Sequence, residues 1–179
     1  MLFGTDGIRG EVVDSPNNDE DAISYLVDER KISPRLMKLV GEALSRNAPV
    51  GSQVIIGWDD RPKNAELVAS LTVGLHLGGC NVIHGGICAT PGLHNALLET
   101  KSALGCMITA SHNPPEYNGF KIVHKGLPVA GEDLQRLKAI YESPDQGKAN
   151  SPGTILSMSE YHHTVIDAIV QDVGPLARR

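Results

Sequence analysis

The sequence predicts an α/β fold: three layers, with helices on both faces of a mainly parallel mixed sheet. Apolar runs of strand length stand at 53–57, 81–84, 104–109 and 120–123. Between and after them, 64–77, 91–100 and 132–141 repeat apolar residues at helical spacing. Strands alternating with helices at these lengths build βαβ units. The 19 glycines and 11 prolines in 179 residues add frequent turns and close backbone approaches.

From the start of the chain, residues 3–10 hold three glycines and read as a loop or short strand. Residues 14–31 are polar and acidic and read as a surface excursion. A helix follows, with Ser33 as N-cap, Pro34 at the first helical position, and Leu36, Leu39, Val40, Ala43 and Leu44 on one side. The apolar run at 53–57 reads as a buried strand ending in the polar loop Trp58-Asp59-Asp60-Arg61-Pro62. The helix at 64–77 turns Ala65, Val68, Leu71, Thr72 and Leu75 inward and stops at Gly78-Gly79. The strand at 81–84 is expected to end at Gly85-Gly86. After the helix at 132–141, residues 143–153 have linker composition, and one more helix is expected near 159–173. The expected organisation is therefore a first domain at 1–142, a linker at 143–153 and the start of a second domain at 154–179.

Composition removes several classes of function. The net charge of -5 argues against non-specific nucleic-acid binding, and aromatics at 4% disfavour a stacking platform for single strands. No stretch has the roughly 20 apolar residues that span a bilayer. The opening residues lack the basic and apolar regions of a secretory signal. Three cysteines, Cys80, Cys88 and Cys106, at irregular spacing read as reduced thiols of a cytoplasmic protein. Cys80, His84 and Cys88 straddle a strand without a C-x₂₋₄-C pair, so a zinc site is not expected. G-x-G-x-x-G and the P-loop are both absent.

Ligands of α/β sheets bind beyond the carboxyl ends of strands, which points to the loops at 58–62 and 110–119. The second is the more informative. Thr109-Ala110-Ser111-His112-Asn113-Pro114-Pro115-Glu116-Tyr117-Asn118-Gly119-Phe120-Lys121-Ile122 leaves a buried strand and turns at two prolines. It is expected to return through an Asn118-Gly119 turn. Proline restricts the preceding Asn113. Such a loop can hold the hydroxyl of Ser111 in a fixed place, with Lys121 close by on the returning strand. A hydrolase would need a base on Ser111, but neighbours in an extended chain point to opposite faces, which separates His112, and the G-x-S-x-G elbow is absent. A phosphoserine is the other option: a charge near -2 with three acceptor oxygens. His112, Lys121, Arg9 and Arg61 could balance that charge. The alternatives are a structural loop histidine at His112, a solvated lysine at Lys121, and ion pairs of Arg9 with Asp6 and of Arg61 with Asp59. The adjacent carboxylates of Asp59 and Asp60 more simply meet solvent or arginine than a metal.

F-G-T-D-G-I-R-G at 3–10 and T-A-S-H-N-P-P-E-Y-N-G-F-K-I at 109–122 resemble the α-D-phosphohexomutases, which include phosphoglucomutase/phosphomannomutase and phosphoglucosamine mutase. Gly57-Trp58-Asp59-Asp60-Arg61 is similar to the family's K-D-T-R loop, with Trp58 and Asp60 as departures. The resemblance implies the family's domain I fold and an isomerase, an intramolecular phosphotransferase interconverting hexose 1- and 6-phosphates through a bisphosphate. It implies that Ser111 carries the phosphoryl group, that Ser111, His112, Lys121 and Arg9 stand at catalytic positions, and that Arg61 and Asn113 bind substrate or phosphate. It further implies Mg²⁺ held partly by phosphorylated Ser111, and a glucose 1,6-bisphosphate type of activator. The remaining metal ligands would come from a D-G-D-x-D-R motif that does not occur in this sequence. The expected partners are a hexose phosphate and the remaining domains of the same enzyme, with neither nucleic acid nor membrane. On this reading the chain is the first of four domains and is inactive alone. A non-catalytic module binding a sugar phosphate or a protein partner is the competing expectation.

Overall fold

A computed structural model describes residues 7–46, 48–124, 127–128, 153 and 155–157. The elements are β1 Ile8–Val12, α1 Asp19–Glu29, β2 Lys31–Ile32, α2 Pro34–Arg46, β3 Gln53–Trp58 and α3 Asn64–Leu77. Then come β4 Asn81–Ile87, α4 Thr90–Thr100, β5 Leu104–Ile108, β6 Tyr117–His124, β7 Leu127–Pro128 and β8 Ile155–Ser157. All the strands join one sheet in the order β2-β1-β6-β5-β3-β4-β8, with β7 paired to β6. The pairs β1–β2, β3–β4, β3–β5 and β4–β8 are parallel. Only the pairs made by β6 are antiparallel among the described residues.

The alternation within β3 explains the three layers. Successive strand residues face opposite sides. Val54 and Ile56 join Leu36, Met37 and Val40 of α2 and Leu67, Leu71 and Leu75 of α3 in the larger core. Ile55 instead joins Ile83, Met107 and Val123 against Leu93, Ala96 and Leu97 of α4. Helices α1, α2 and α3 thus cover one face and α4 the other. A strand buried on both sides must be apolar throughout, which is why β3 reads as an unbroken run.

The structure bears out the N-terminus expected for α2. The amide of Leu36 donates to Ser33 Oγ at 3.2 Å, and Pro34 opens the helix. Helix α1 was not expected in the acidic excursion at 14–31. Asn18 caps it, accepting from the Asp21 amide at 2.7 Å, and Asp19, Glu20 and Asp21 suit the positive end of its dipole. It buries only Ala22 and Leu26, one pair at i and i+4, so its apolar stripe is narrow.

Three other boundaries differ from the sequence expectation. Strand β4 does not stop at Gly85-Gly86. A register shift opposite the Ile56/Gly57 step leaves Gly85 as the extra residue of a bulge, Gly86 takes a φ of 79° that favours glycine, and the strand runs on to Ile87. Asn118-Gly119 is not a turn but lies inside β6, opposite Gly10 and Arg9 of β1. A Cβ on Gly119 would stand 2.0 Å from the Ile8 carbonyl oxygen, so close strand approach demands glycine there. Residues 155–157, expected to start a second domain, pair as β8 with Val82, Ile83 and His84 of β4. That pairing satisfies backbone groups on the outer edge of β4. The helices expected at 132–141 and 159–173, residues 143–152 of the linker and the opening residues 1–6 lie outside the described residues.

Helices α2 and α3 touch backbone to backbone where Gly41 meets Gly74. A Cβ on Gly74 would fall 2.1 Å from the Lys38 carbonyl oxygen, and one on Gly41 would fall 2.4 Å from that of Leu71. Gly74→Ala must therefore push the helices apart and lower stability by about 1–3 kcal/mol. Exposed Val73→Ala, one residue earlier, serves as the control. Urea midpoints of the two variants check this; equal midpoints would show that the crossing tolerates the extra carbon.

Candidate active site

Parallel strands β3 and β5 end side by side, with Trp58 opposite Ile108. The loops that follow form a cleft of about 520 Å³ whose walls include Asp60, Arg61, Cys88, Thr90, Ser111 and Asn113. The bulge in β4 brings up the far wall: the Cys88 amide donates to the Trp58 carbonyl oxygen at 2.8 Å, and α4 starts two residues later.

Beyond β5 the chain is pinned stepwise. The Thr109 amide donates to the Gly119 carbonyl oxygen at 3.0 Å. The Ser111 amide donates to Thr109 Oγ1 at 2.8 Å. Ser111 has a φ of 60°, a left-handed conformation that costs a non-glycine residue on the order of 1–2 kcal/mol. The Asn113 amide closes a turn onto Ala110, and the Tyr117 amide closes another onto Pro114. Ser111 and His112 are exposed and Asn113 is half-buried.

Arg61 holds this loop. Its side chain is only 10% exposed, and its Nε donates to Asp59 Oδ2 at 3.0 Å. Nη1 donates to the carbonyl oxygens of Pro114 and Tyr117. Nη2 donates to those of Ser111 at 2.9 Å and Asn113 at 2.7 Å. A guanidinium has five N–H donors, and these five bonds engage them all. Of the two expectations for Arg61, substrate or phosphate binding and the ion pair with Asp59, the structure shows the second. Arg61 fastens the serine loop.

Asp59 is the hub beneath it. Oδ2 also accepts from Thr109 Oγ1 at 2.6 Å, and Oδ1 accepts from Asn64 Nδ2 at 2.8 Å and from the Arg61 amide at 3.3 Å. Asn64 Oδ1 in turn accepts from Nδ2 of Asn118 at 2.6 Å, and Asn118 Oδ1 accepts from the Gly119 amide. Burial opposes ionisation of Asp59, yet bonds from Thr109, Asn64 and Arg61 together outweigh it and hold the carboxyl below its ordinary range.

Arg9 and Lys121 stand further along the sheet. Lys121 lies opposite Met107 of β5 and Arg9 opposite Gly119 of β6. Directly paired residues share a face, so both lie on the α4 side with Met107, beside the cleft rather than among its walls. The loop thus brings Ser111, Asn113, Asp59 and Arg61 together, with His112 at its exposed rim. Among the described residues no hydrogen bond joins Ser111 Oγ to His112. The left-handed turn at Ser111 removes the extended geometry assumed for that pair, but no base is hydrogen-bonded to Ser111 Oγ among the described residues.

Sequence reasoning missed Thr109, Asn64 and Asn118 as site residues. Thr109 and Asn118 were in view within the motif, but Asn118-Gly119 carries the commonest turn signal, and Asn64 looked like an ordinary helix opener. The residues present do not make a magnesium site by themselves. Both oxygens of Asp59 are engaged, and no three His, Cys, Asp or Glu side chains cluster for a metal among the described residues. Nor is any helix among them long and apolar enough to cross a membrane.

Residues 1–148 match a family profile described as phosphoglucomutase/phosphomannomutase, alpha/beta/alpha domain I. A phosphoglucosamine mutase of Prochlorococcus marinus is 35% identical over 146 residues, covering 81% of this chain and 29% of the relative. A phosphomannomutase/phosphoglucomutase of Pseudomonas syringae pv. tomato is 44% identical over 136 residues, covering 76% of this chain and 26% of the relative. A solved structure of a phosphoglucomutase/phosphomannomutase family protein from Burkholderia thailandensis superposes with a TM-score of 0.72 at 23% identity, over 96% of this chain and 35% of that one. The chain therefore spans about a third or less of the length of these proteins.

Arg61→Lys keeps the charge but cannot reproduce the planar fork. Leaving these carbonyls and Asp59 short of donors should cost about 1–3 kcal/mol and open residues 111–117 to proteolysis. Wild-type cleavage rates in that segment would contradict the clamp. Acid stability gives a second check. Because the folded carboxyl of Asp59 has a lowered pKa, the unfolded chain binds more protons at low pH, and stability rises with pH. The contribution is complete above the unfolded value of about 3.9 and fades as pH falls through the lower folded value. Asp59→Asn should flatten that acid limb in urea midpoints taken from about pH 5 downward; an unchanged limb would remove Asp59 as its source.

Proposed function

The chain belongs to the phosphoglucomutase/phosphomannomutase family and matches its α/β/α domain I, and from that premise we propose that Ser111 is the residue that carries a phosphoryl group to and from a hexose phosphate. The supporting observation is the way Ser111 is held. Its amide is bound by Thr109, its carbonyl by Arg61, its backbone is left-handed, and its side chain is exposed at the cleft.

The bonding follows from that placement. A sugar hydroxyl attacks the phosphorus of the phosphoseryl group. The bond from phosphorus to Ser111 Oγ breaks, Oγ takes up a proton, and the hydroxyl proton of the sugar leaves to a base. The product is a hexose bisphosphate and free Ser111. After the sugar reorients, Ser111 Oγ loses its proton to a base and attacks the phosphorus of the other phosphate. The bond from that phosphorus to the sugar oxygen breaks, the sugar oxygen takes up a proton, and the chain regains its phosphoryl group. Such transfers depend on positioning and on electrostatic stabilisation of the moving charge. A fixed backbone on both sides of Ser111 leaves the side-chain torsion as the main freedom of its oxygen.

Arg61, its donors engaged, orients the loop in this scheme and does not touch the phosphate. Balancing the phosphoseryl charge falls to Arg9, Lys121 and His112. A lysine ammonium has three donors and no acceptor, which suits Lys121 to holding a phosphate oxygen. The resemblance also implies Mg²⁺, which would stabilise charge on the transferring oxygens when bound. An oxygen of the phosphoryl group on Ser111 is the one ligand this chain is assigned, and other ligands would come from outside the described residues. A glucose 1,6-bisphosphate type of compound would serve as phosphoryl donor to an unphosphorylated Ser111. Hexose phosphate is the proposed substrate class.

Phosphopeptide mapping of the protein isolated from its own cells should find the phosphoryl group on Ser111. Ser111→Ala should abolish conversion of hexose 1-phosphate to 6-phosphate in the complete enzyme while leaving the unfolding midpoint near wild type. Retained turnover would exclude Ser111 as the carrier.

A further inference from the structure

Asn118 is fully buried and Asn64 is 3% exposed, and neither is among the walls of the cleft. Two amides in that setting need a reason, since buried polar groups stabilise little and are expensive when left unpaired. Their hydrogen bonds admit a single direction. The ionised carboxylate of Asp59 only accepts, so Asn64 must present Nδ2 to it, at 2.8 Å. Asn64 Oδ1 then faces Asn118, which must present its own Nδ2, at 2.6 Å. Asn118 Oδ1 is left to take the Gly119 amide, at 2.8 Å. On the other side of the carboxylate, the Thr109 hydroxyl must donate to Asp59 Oδ2, so its lone pairs are the ones that accept the Ser111 amide.

We propose that Asn64 and Asn118 are positioning residues for Ser111, setting its backbone from the interior through the Asp59 carboxylate and the Thr109 hydroxyl. Their catalytic consequence rests on the phosphoryl-transfer reading above; their effect on the loop does not. The route is contiguous in space. It starts at β6, crosses to the first turn of α3, passes the end of β3 and leaves through the end of β5 into Ser111. Without the Asn118 amide, Asn64 has no donor for its Oδ1, and its Nδ2, which also donates to the Asp59 carbonyl oxygen at 2.6 Å, can favour that oxygen over the carboxylate. The carboxylate can then rotate away from Thr109 and Arg61, and the left-handed turn at Ser111 loses the bonds that compensate its strain.

Amide hydrogen exchange on the full chain tests this without any assay of activity. The comparison is Asn118→Ala against Gly74→Ala, which loosens a distant helix crossing. Asn64→Ala serves as the second variant should Asn118→Ala fold poorly. The expected result is exchange at Ser111 about 10-fold or more faster, beyond any change at the buried amides of α2. A uniform rise across Ser111 and α2, as expected for Gly74→Ala, would overturn the proposal. In the complete enzyme, kcat should fall on the order of 10–100-fold with little change in KM for the hexose phosphate. Unchanged kcat would overturn the catalytic part. Failure of the phosphoryl reading is separately visible, as an unphosphorylated Ser111 in a protein whose exchange pattern still responds to Asn118→Ala.

Discussion

The ion pair of Arg61 with Asp59 is the interaction on which the loop depends. Four carbonyl oxygens, those of Ser111, Asn113, Pro114 and Tyr117, converge on one guanidinium. Carbonyls brought together without a cation would repel one another and would each need water. A loop that turns sharply at two prolines has few amides to offer them, because proline has none. The planar fork of arginine reaches all four at once, and the carboxylate keeps it in place. Lysine, with its donors on one flexible ammonium, has no equivalent geometry.

The sheet sets where this can happen. β3 and β5 are parallel neighbours, so their carboxyl ends deliver Asp59 and Thr109 to the same level, and one carboxylate serves both loops. The antiparallel return of β6 places Asn118 under that level, where it can meet the first residue of α3. The glycine at 119 is what lets β6 approach β1 closely enough for this register. The bulge at Gly85-Gly86 then shifts the end of β4, so that Cys88 bonds to Trp58 and α4 begins beside the cleft.

Much of this frame was legible because it follows from local pattern. The β3 run, the α3 periodicity and the Ser33-Pro34 start of α2 each carry their signal within a few residues. The serine motif was legible for the same reason: its prolines and its short polar residues constrain the loop wherever it sits. The unexpected features are those set by partners distant in sequence. Arg61 is a basic residue on a polar loop, a sensible phosphate ligand until the loop some 50 residues later engages its donors. Asn118-Gly119 obeys the rule for a turn, and is a strand because β1 lies against it. Gly85-Gly86 looks like a stop until β3 supplies the edge that lets the strand continue past a bulge. Helix α1 hides in acidic sequence because its two buried residues are enough only with β2 and α2 beside it.

These features separate two tasks that a cation near a phosphoserine could otherwise combine. Arg61 is charge-compensated by Asp59 and has its hydrogens directed at the backbone, so its surroundings are already balanced before any phosphate arrives. Adding a phosphoryl group to Ser111 would bring a charge near -2 to the cleft without offering Arg61 a reason to move, since any new bond would cost it one of the carbonyls it holds. The loop can therefore keep one shape in both covalent states of the serine. On the proposed phosphoserine reading, charge compensation is left to side chains on β1 and β6, where Arg9 and Lys121 share a face of the sheet. On that reading the group that orients the serine is distinct from the groups that balance its charge, so the loop's geometry does not depend on whether the phosphoryl group is present.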